Sequence, residues 1–159
     1  MSDPAESQTL AETRGDETIL VVEDEEVIRL MLVEILRHQG YTVLDARLAA
    51  PALALAAAHP HPIHLLVTDM SMPGMTGWDL AKTLRSTRPA IPILFISGHN
   101  DHETAQWGKI EPPVEHLYKP FYMEAFLSKA RQMLDSHNTP ARPPESAQPT
   151  GAVIPPVSK

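Results

Sequence analysis

Short apolar runs alternate along this chain with longer stretches in which apolar residues recur at helical spacing. Ile19–Val22, Ile63–Thr68 and Ile93–Ile96 read as strands, and Ile63–Thr68 is apolar enough to be covered on both faces. Tyr41–Asp45, with β-branched and aromatic residues, predicts a further strand, and His116–Tyr118 a short last one. Between them, Glu26–His38 reads as a helix whose wetter side carries Glu26, Arg29, Glu34, Arg37 and His38. Gly40 stands where a left-handed helix cap belongs. Ala49–Ala58 is a helix by its alanine content and stops before His59-Pro60-His61-Pro62. Thr76 is placed to cap a helix over Trp78–Arg88, after the turn Pro73-Gly74-Met75. A short helix is expected over Asp101–Trp107, limited by Gly108 and Pro112-Pro113. Met123–Leu134 forms the last helix, with Phe126, Ala130 and Met133 on one side.

This alternation predicts an α/β domain, a doubly wound parallel sheet with helices on both faces. Residues 1–16 are polar and acidic without an apolar period, so a flexible N-terminal arm is expected there. The folded body is expected over residues 17–135. Residues 136–159, rich in Pro, Ser and Ala, read as a disordered tail, since too little apolar surface is available to offset the entropy of ordering.

Composition narrows the function. A net charge of -7 argues against nucleic-acid binding, which needs clustered Lys and Arg. The absence of Cys removes thiol and disulfide chemistry. No apolar run approaches the roughly 20 residues of a membrane span, and the first residues lack the pattern of a signal peptide. A cytoplasmic protein is expected.

The informative chemistry lies at the ends of the strands. Glu23-Asp24, Asp69, Ser97 and Lys119 each follow or close a strand-like run. In an open parallel sheet the carboxyl ends converge on one crevice, where ligands bind. Acids, a hydroxyl and an ammonium meeting there suit a divalent cation and a phosphoryl group. Each residue alone has a plainer reading: Asp24 as a turn former, Ser97 as the start of a turn, Lys119 as an exposed charge. Four such coincidences at four strand ends favour the shared site.

Ile19-Leu20-Val21-Val22-Glu23-Asp24-Glu25, Asp69-Met70-Ser71-Met72-Pro73-Gly74-Met75-Thr76-Gly77, Ser97-Gly98 and Lys119-Pro120-Phe121 together resemble a response-regulator receiver domain. The resemblance covers residues 17–135, and its Leu117–Phe121 ending and His64–Gly77 segment look most like receivers of hybrid sensor kinases. It implies a flavodoxin-like fold with five parallel strands, (βα)5, and no turnover enzyme. It also implies that Asp69 accepts a phosphoryl group from a histidine kinase, with Ser97 and Lys119 contacting that group. Mg²⁺ would be held by Asp24, Asp69 and the Ser71 backbone carbonyl, with Glu23 acting through a water. Gly98 would keep the approach open, and Pro120 would follow a cis peptide bond.

The chain departs from the family pattern at His116, where receivers carry the Tyr or Phe that couples to Ser97 on activation. Ser71 and His99, two residues beyond Asp69 and Ser97, are expected to tune phosphoryl lifetime. The segment Asn100–Pro113 predicts a shortened helix, a mobile loop and a specialised partner surface. His59, His61 and His64 hint at a metal cluster, but without carboxylate or thiol partners a solvated loop is the better reading. Trp78 and Trp107 read as packing residues.

The tail is too short for an output domain, so a stand-alone receiver is expected. It would signal through protein contact or a histidine phosphotransfer protein, and a phosphorylation-dependent homodimer is one partnership it allows. The rival reading is an adaptor that keeps the fold and signals without phosphorylation. An aspartyl phosphohydrolase ranks below it, because no cap domain or second catalytic acid accompanies Asp69. A nucleotide-binding domain ranks last, because no glycine-rich loop follows Val22.

Overall fold

The computed structural model describes residues 12–98 and 113–138. In chain order these form β1 (Thr18–Val22), α1 (Glu26–His38), β2 (Thr42–Ala46), α2 (Ala49–Ala58), β3 (Leu65–Asp69), α3 (Gly77–Thr87), β4 (Ile93–Ser97), β5 (Val114–Tyr118) and α4 (Met123–Asn138). The five strands pair in parallel in the order β2-β1-β3-β4-β5. β1, β3 and β4 are buried along their whole length, and the two outer strands are wetter. Sheet order and strand direction agree with the flavodoxin-like expectation. The helix expected over Asp101–Trp107 lies outside the described residues.

Alternation of side chains along each strand builds two cores. Leu20, Val22, Leu66, Ile93 and Phe95 face α2 and α3, packing with Ala52, Ala56, Leu80 and Leu84. Ile19, Val21, Val67, Leu94 and Ile96 face α1 and α4, packing with Leu32, Leu36, Phe126 and Leu134. A sheet covered on both faces needs such strands, because each residue meets apolar neighbours whichever way it points. Trp78, read as packing from the sequence, is buried in the first of these cores.

Local signals set the element ends. The Gly40 N–H donates to Arg37 O at 3.0 Å and the Tyr41 N–H to Leu36 O at 3.2 Å, closing α1 in a Schellman turn with Gly40 at φ 101°. A Cβ on Gly40 would also lie 2.5 Å from the Gly15 carbonyl oxygen. Thr76 caps α3 by accepting the Asp79 N–H at 3.1 Å. β3 begins at Leu65 rather than Ile63 because His64 exchanges a backbone rung for a side-chain one. Its N–H donates to Thr18 O at 2.8 Å, while its Nδ1 accepts the Thr18 N–H at 3.0 Å. Among the described residues, no helix is long and apolar enough to cross a membrane.

The expected arm through residue 16 is corrected at its inner end. Thr13 is buried, its carbonyl accepts the Tyr41 hydroxyl at 2.6 Å, and Gly15 N–H donates to Gln39 O at 3.1 Å. Arg131 on α4 donates to Arg14 O at 3.1 Å and pairs with both carboxylate oxygens of Glu17. Gly15 makes this approach achievable, since a Cβ there would sit 2.2 Å from Arg131 Nη1 and 2.6 Å from Tyr41 Cε1. Residues 13–16 carry no apolar period because polar partners from distant segments anchor them.

Burial alone would raise the Glu17 carboxyl, but hydrogen bonds from Arg131 and the backbone, with the Arg131 charge, outweigh it and hold it below its usual value. Arg131→Met leaves Glu17 without its countercharge, and a loss of about 3 kcal/mol in unfolding free energy is expected by urea denaturation at pH 7. A lowered folded value means the contribution is present above the ordinary carboxylate range and is lost as pH falls through that folded value. The wild-type advantage over Arg131→Met should therefore shrink in acid. An advantage constant from neutral to strongly acid pH would exclude the ion pair as its source.

Candidate functional site

Four strands deliver the site. Glu23 directly follows β1, and its N–H continues the ladder to Ala46 O at 3.2 Å. Asp69 is the last residue of β3, and Ser97 the last of β4. Lys119 directly follows β5, its N–H bonded to Ser97 O at 2.7 Å, and the Lys119–Pro120 peptide is cis. Gly77, the first residue of α3, lies hard against the backbone beneath the site. A Cβ there would fall 2.0 Å from Asp69 O, so only glycine lets α3 start so close to this strand end.

The Asp69 carboxylate is held at both oxygens. Oδ1 accepts the Ser71 N–H at 3.0 Å, and Oδ2 accepts Lys119 Nζ at 3.0 Å. The same ammonium lies 3.1 Å from Glu23 Oε1 and 3.5 Å from Glu25 Oε1. Glu23 Oε2 accepts the Glu25 N–H at 3.2 Å across the turn. Asp24 is half-buried, and its carboxylate makes no hydrogen bond or ion pair with the described residues. Carboxylate oxygens of Glu23, Asp24 and Asp69 all lie within 4.8 Å of one another, the one such metal-ligand grouping among the described residues. Ser97 Oγ is buried and has no hydrogen-bond partner among them.

Crowding shifts the titration of this cluster. Glu23 is pushed up to about 8, first by burial and then by the hydrogen bond and charge of Asp69. Burial would lower Lys119, but the hydrogen bond and charge of Asp69, and then those of Glu23, hold its ammonium above the ordinary lysine value. The pocket therefore keeps its cation, and burial beside Asp69 favours the protonated form of Glu23.

Of the remaining sequence-predicted residues, Ser71 is exposed on the loop after β3. His116 is exposed on the edge strand β5, paired with Phe95 in register, and its ring stacks edge-on against Tyr118 at 5.0 Å. A Cβ on Gly98 would meet nothing within 4 Å. His99, Trp107 and most of Asn100–Pro113 lie outside the described residues. The histidines after α2 do not converge, since His64 is engaged with Thr18 and only His59 and His61 meet, their ring centroids 5.7 Å apart.

Sequence reasoning placed Arg29 on the wet side of α1, and the structure corrects this. Arg29 is buried, donating to Glu23 O at 3.0 Å and facing Asp45 Oδ2 at 3.3 Å. A charge on the amphipathic boundary of a helix gives no sign of a buried polar partner next to it. The close approach of Gly77 was equally silent.

The sheet order and covering helices define a flavodoxin-like, doubly wound α/β protein. The profile of the response regulator receiver domain matches residues 19–131, and the chain belongs to that family of two-component signalling. Sensor kinase CckA of Brucella abortus (strain 2308) is 32% identical over 124 residues, 78% of this chain and 13% of that protein. The probable transcriptional regulatory protein TcrX of Mycobacterium tuberculosis is 32% identical over 117 residues, 74% of this chain and 49% of that protein. The crystal structure of the receiver domain from the hybrid histidine kinase CckA matches at a TM-score of 0.63 and 32% identity, covering 74% of this chain and 98% of that one. The chain thus spans half or less of these curated relatives, but nearly all of a solved receiver. A receiver is not a conventional enzyme.

A raised folded value for Glu23 means that the folded protein keeps a proton which the unfolded chain releases near 4.5. That contribution is complete below about 4.5 and is lost as pH rises through about 8. In chelator, wild type should therefore lose stability over this range relative to Glu23→Gln, which cannot ionise. Parallel stability–pH curves for the two proteins would show that Glu23 titrates normally.

Proposed function

We propose that this receiver accepts a phosphoryl group on Asp69 from a phosphohistidine, in a Mg²⁺-dependent reaction, and signals through protein contact or phosphorelay. The observation that carries the reading is the Asp69 carboxylate itself, clasped by Lys119 and the Ser71 N–H beside two further acids. One Asp69 oxygen attacks phosphorus, and the P–N bond breaks with its electron pair returning to the imidazole. The product is an acyl phosphate on Asp69. Lys119 supplies positive charge to the arriving oxygens, and the buried hydroxyl of Ser97, without a hydrogen-bond partner among the described residues, donates to one of them.

The donor set fits a hard divalent cation, since the three clustered side chains are all carboxylates. Asp24, Asp69 and the Ser71 carbonyl would hold Mg²⁺, with Glu23 acting through a bound water. Mg²⁺ bound there offsets repulsion between the carboxylates and the phosphoryl oxygens. Ser71 and His99, two residues beyond Asp69 and Ser97 respectively, would tune the lifetime of the acyl phosphate, and Ser97 with His116 would relay it to the outer face. Residues 17–135 would form the receiver proper, with the short ordered strap of residues 13–16 added to it.

α1 supports a partner surface beside the acids. Val27 (80% exposed), Leu30 and Met31 form an exposed apolar stripe that begins three residues after Asp24. A donor bringing phosphohistidine to Asp69 covers the rim of the site, and this stripe offers it apolar contact. A histidine kinase or a histidine phosphotransfer protein fits that role.

Intact-protein mass after incubation with a small phosphodonor tests the chemistry. A single Mg²⁺-dependent phosphoryl adduct is expected on wild type and none on Asp69→Asn. An adduct of equal yield on Asp69→Asn would place the acceptor elsewhere, and partner signalling untouched by that variant would favour a phosphorylation-independent adaptor. Val27→Lys separates docking from chemistry. Transfer from a kinase should slow roughly tenfold, about 1.4 kcal/mol, while the small donor should react at the wild-type rate. Equal slowing with both donors would sink the docking role.

A further inference from the structure

We propose that Arg29 is a positioning residue for the acidic turn, fixing the peptide that carries Asp24 so that its carboxylate is set for the cation. The inference rests on the reading of this pocket as a Mg²⁺ site. Arg29 stands in the first turns of α1, where the helix dipole disfavours a cation, and it is nearly removed from water. Both placements cost free energy, so its contacts must compensate. Those contacts are Glu23 O, at 3.0 Å from Nη1, and Asp45 Oδ2, at 3.3 Å from Nε.

Glu23 O belongs to the peptide linking Glu23 to Asp24, so holding that oxygen fixes the plane from which Asp24 continues. The flanking backbone is held independently. Glu23 N–H reaches Ala46 O at 3.2 Å, and the Arg29 N–H closes the first turn of α1 on Glu25 O at 2.9 Å. Asp24 has no side-chain bond to a described residue, so its direction is set through its backbone. Asp45, from the end of β2, anchors the guanidinium and ties the turn to the neighbouring strand. The division of labour with Lys119 is clear. Lys119 pairs with the carboxylates themselves, whereas Arg29 grips a carbonyl and leaves the acids to the cation.

The test measures Mg²⁺ affinity by calorimetry for wild type, Arg29→Met, Arg29→Lys and Asp45→Ala, with urea denaturation and amide exchange on each metal-free protein. Arg29→Met keeps an apolar stem of similar length and releases the carbonyl. Its Mg²⁺ dissociation constant should rise five- to tenfold, with faster exchange at Asp24 and Glu25. Arg29→Lys should recover part of the affinity, and Asp45→Ala should lose two- to threefold. A folded Arg29→Met with lowered stability but wild-type affinity would reduce Arg29 to a structural residue and overturn the proposal. If Arg29→Met does not fold, wild-type affinity in both Arg29→Lys and Asp45→Ala overturns it equally. Absence of Mg²⁺ binding by wild type would instead sink the reading of the site, and the proposal with it.

Discussion

Carboxylates brought together in a buried pocket repel one another, and everything around this site answers that repulsion. Glu23, Asp24 and Asp69 come within 4.8 Å, and Lys119 is the cation that reaches two of them. Burial and Asp69 together raise the affinity of Glu23 for a proton, a second answer to the same repulsion. Such a cluster is costly to a fold and is kept where a cation or an arriving group repays it.

The parallel sheet makes the crowding achievable. Strands running one way bring all their carboxyl ends to one edge, so residues far apart in sequence become neighbours without any specialised loop. The two apolar cores then hold that edge rigid. Gly77 lets α3 start against the Asp69 backbone, and Arg29 anchors the turn after β1 from below. The acids are thus mounted on backbone that is restrained on several sides.

Much of this was legible in the sequence, because strand-end polarity and apolar runs are local signals. Glu26–His38 fell where its wetter side put it and Ala49–Ala58 where its alanine content put it, and the Gly40 and Thr76 signals marked real element ends. What escaped were contacts whose partners are distant or are backbone atoms. Arg29 looks like a surface charge until the Glu23 carbonyl and Asp45 are seen around it. Thr13 and Gly15 look like part of a polar arm until Gln39, Tyr41 and Arg131 close on them. His64 shortened its own strand by using a ring nitrogen where a peptide was expected.

The clasp around Arg131 also gives the domain a front and a back. It joins the segment entering β1 to the later turns of α4, at the end of the sheet away from the acids. Among the described residues, the segment before β1 and the last helix are therefore held side by side, behind the chemistry. Glu17 of the clasp and Glu23 of the acid cluster stand at opposite ends of the same strand, β1, which is the direct covalent link between the two.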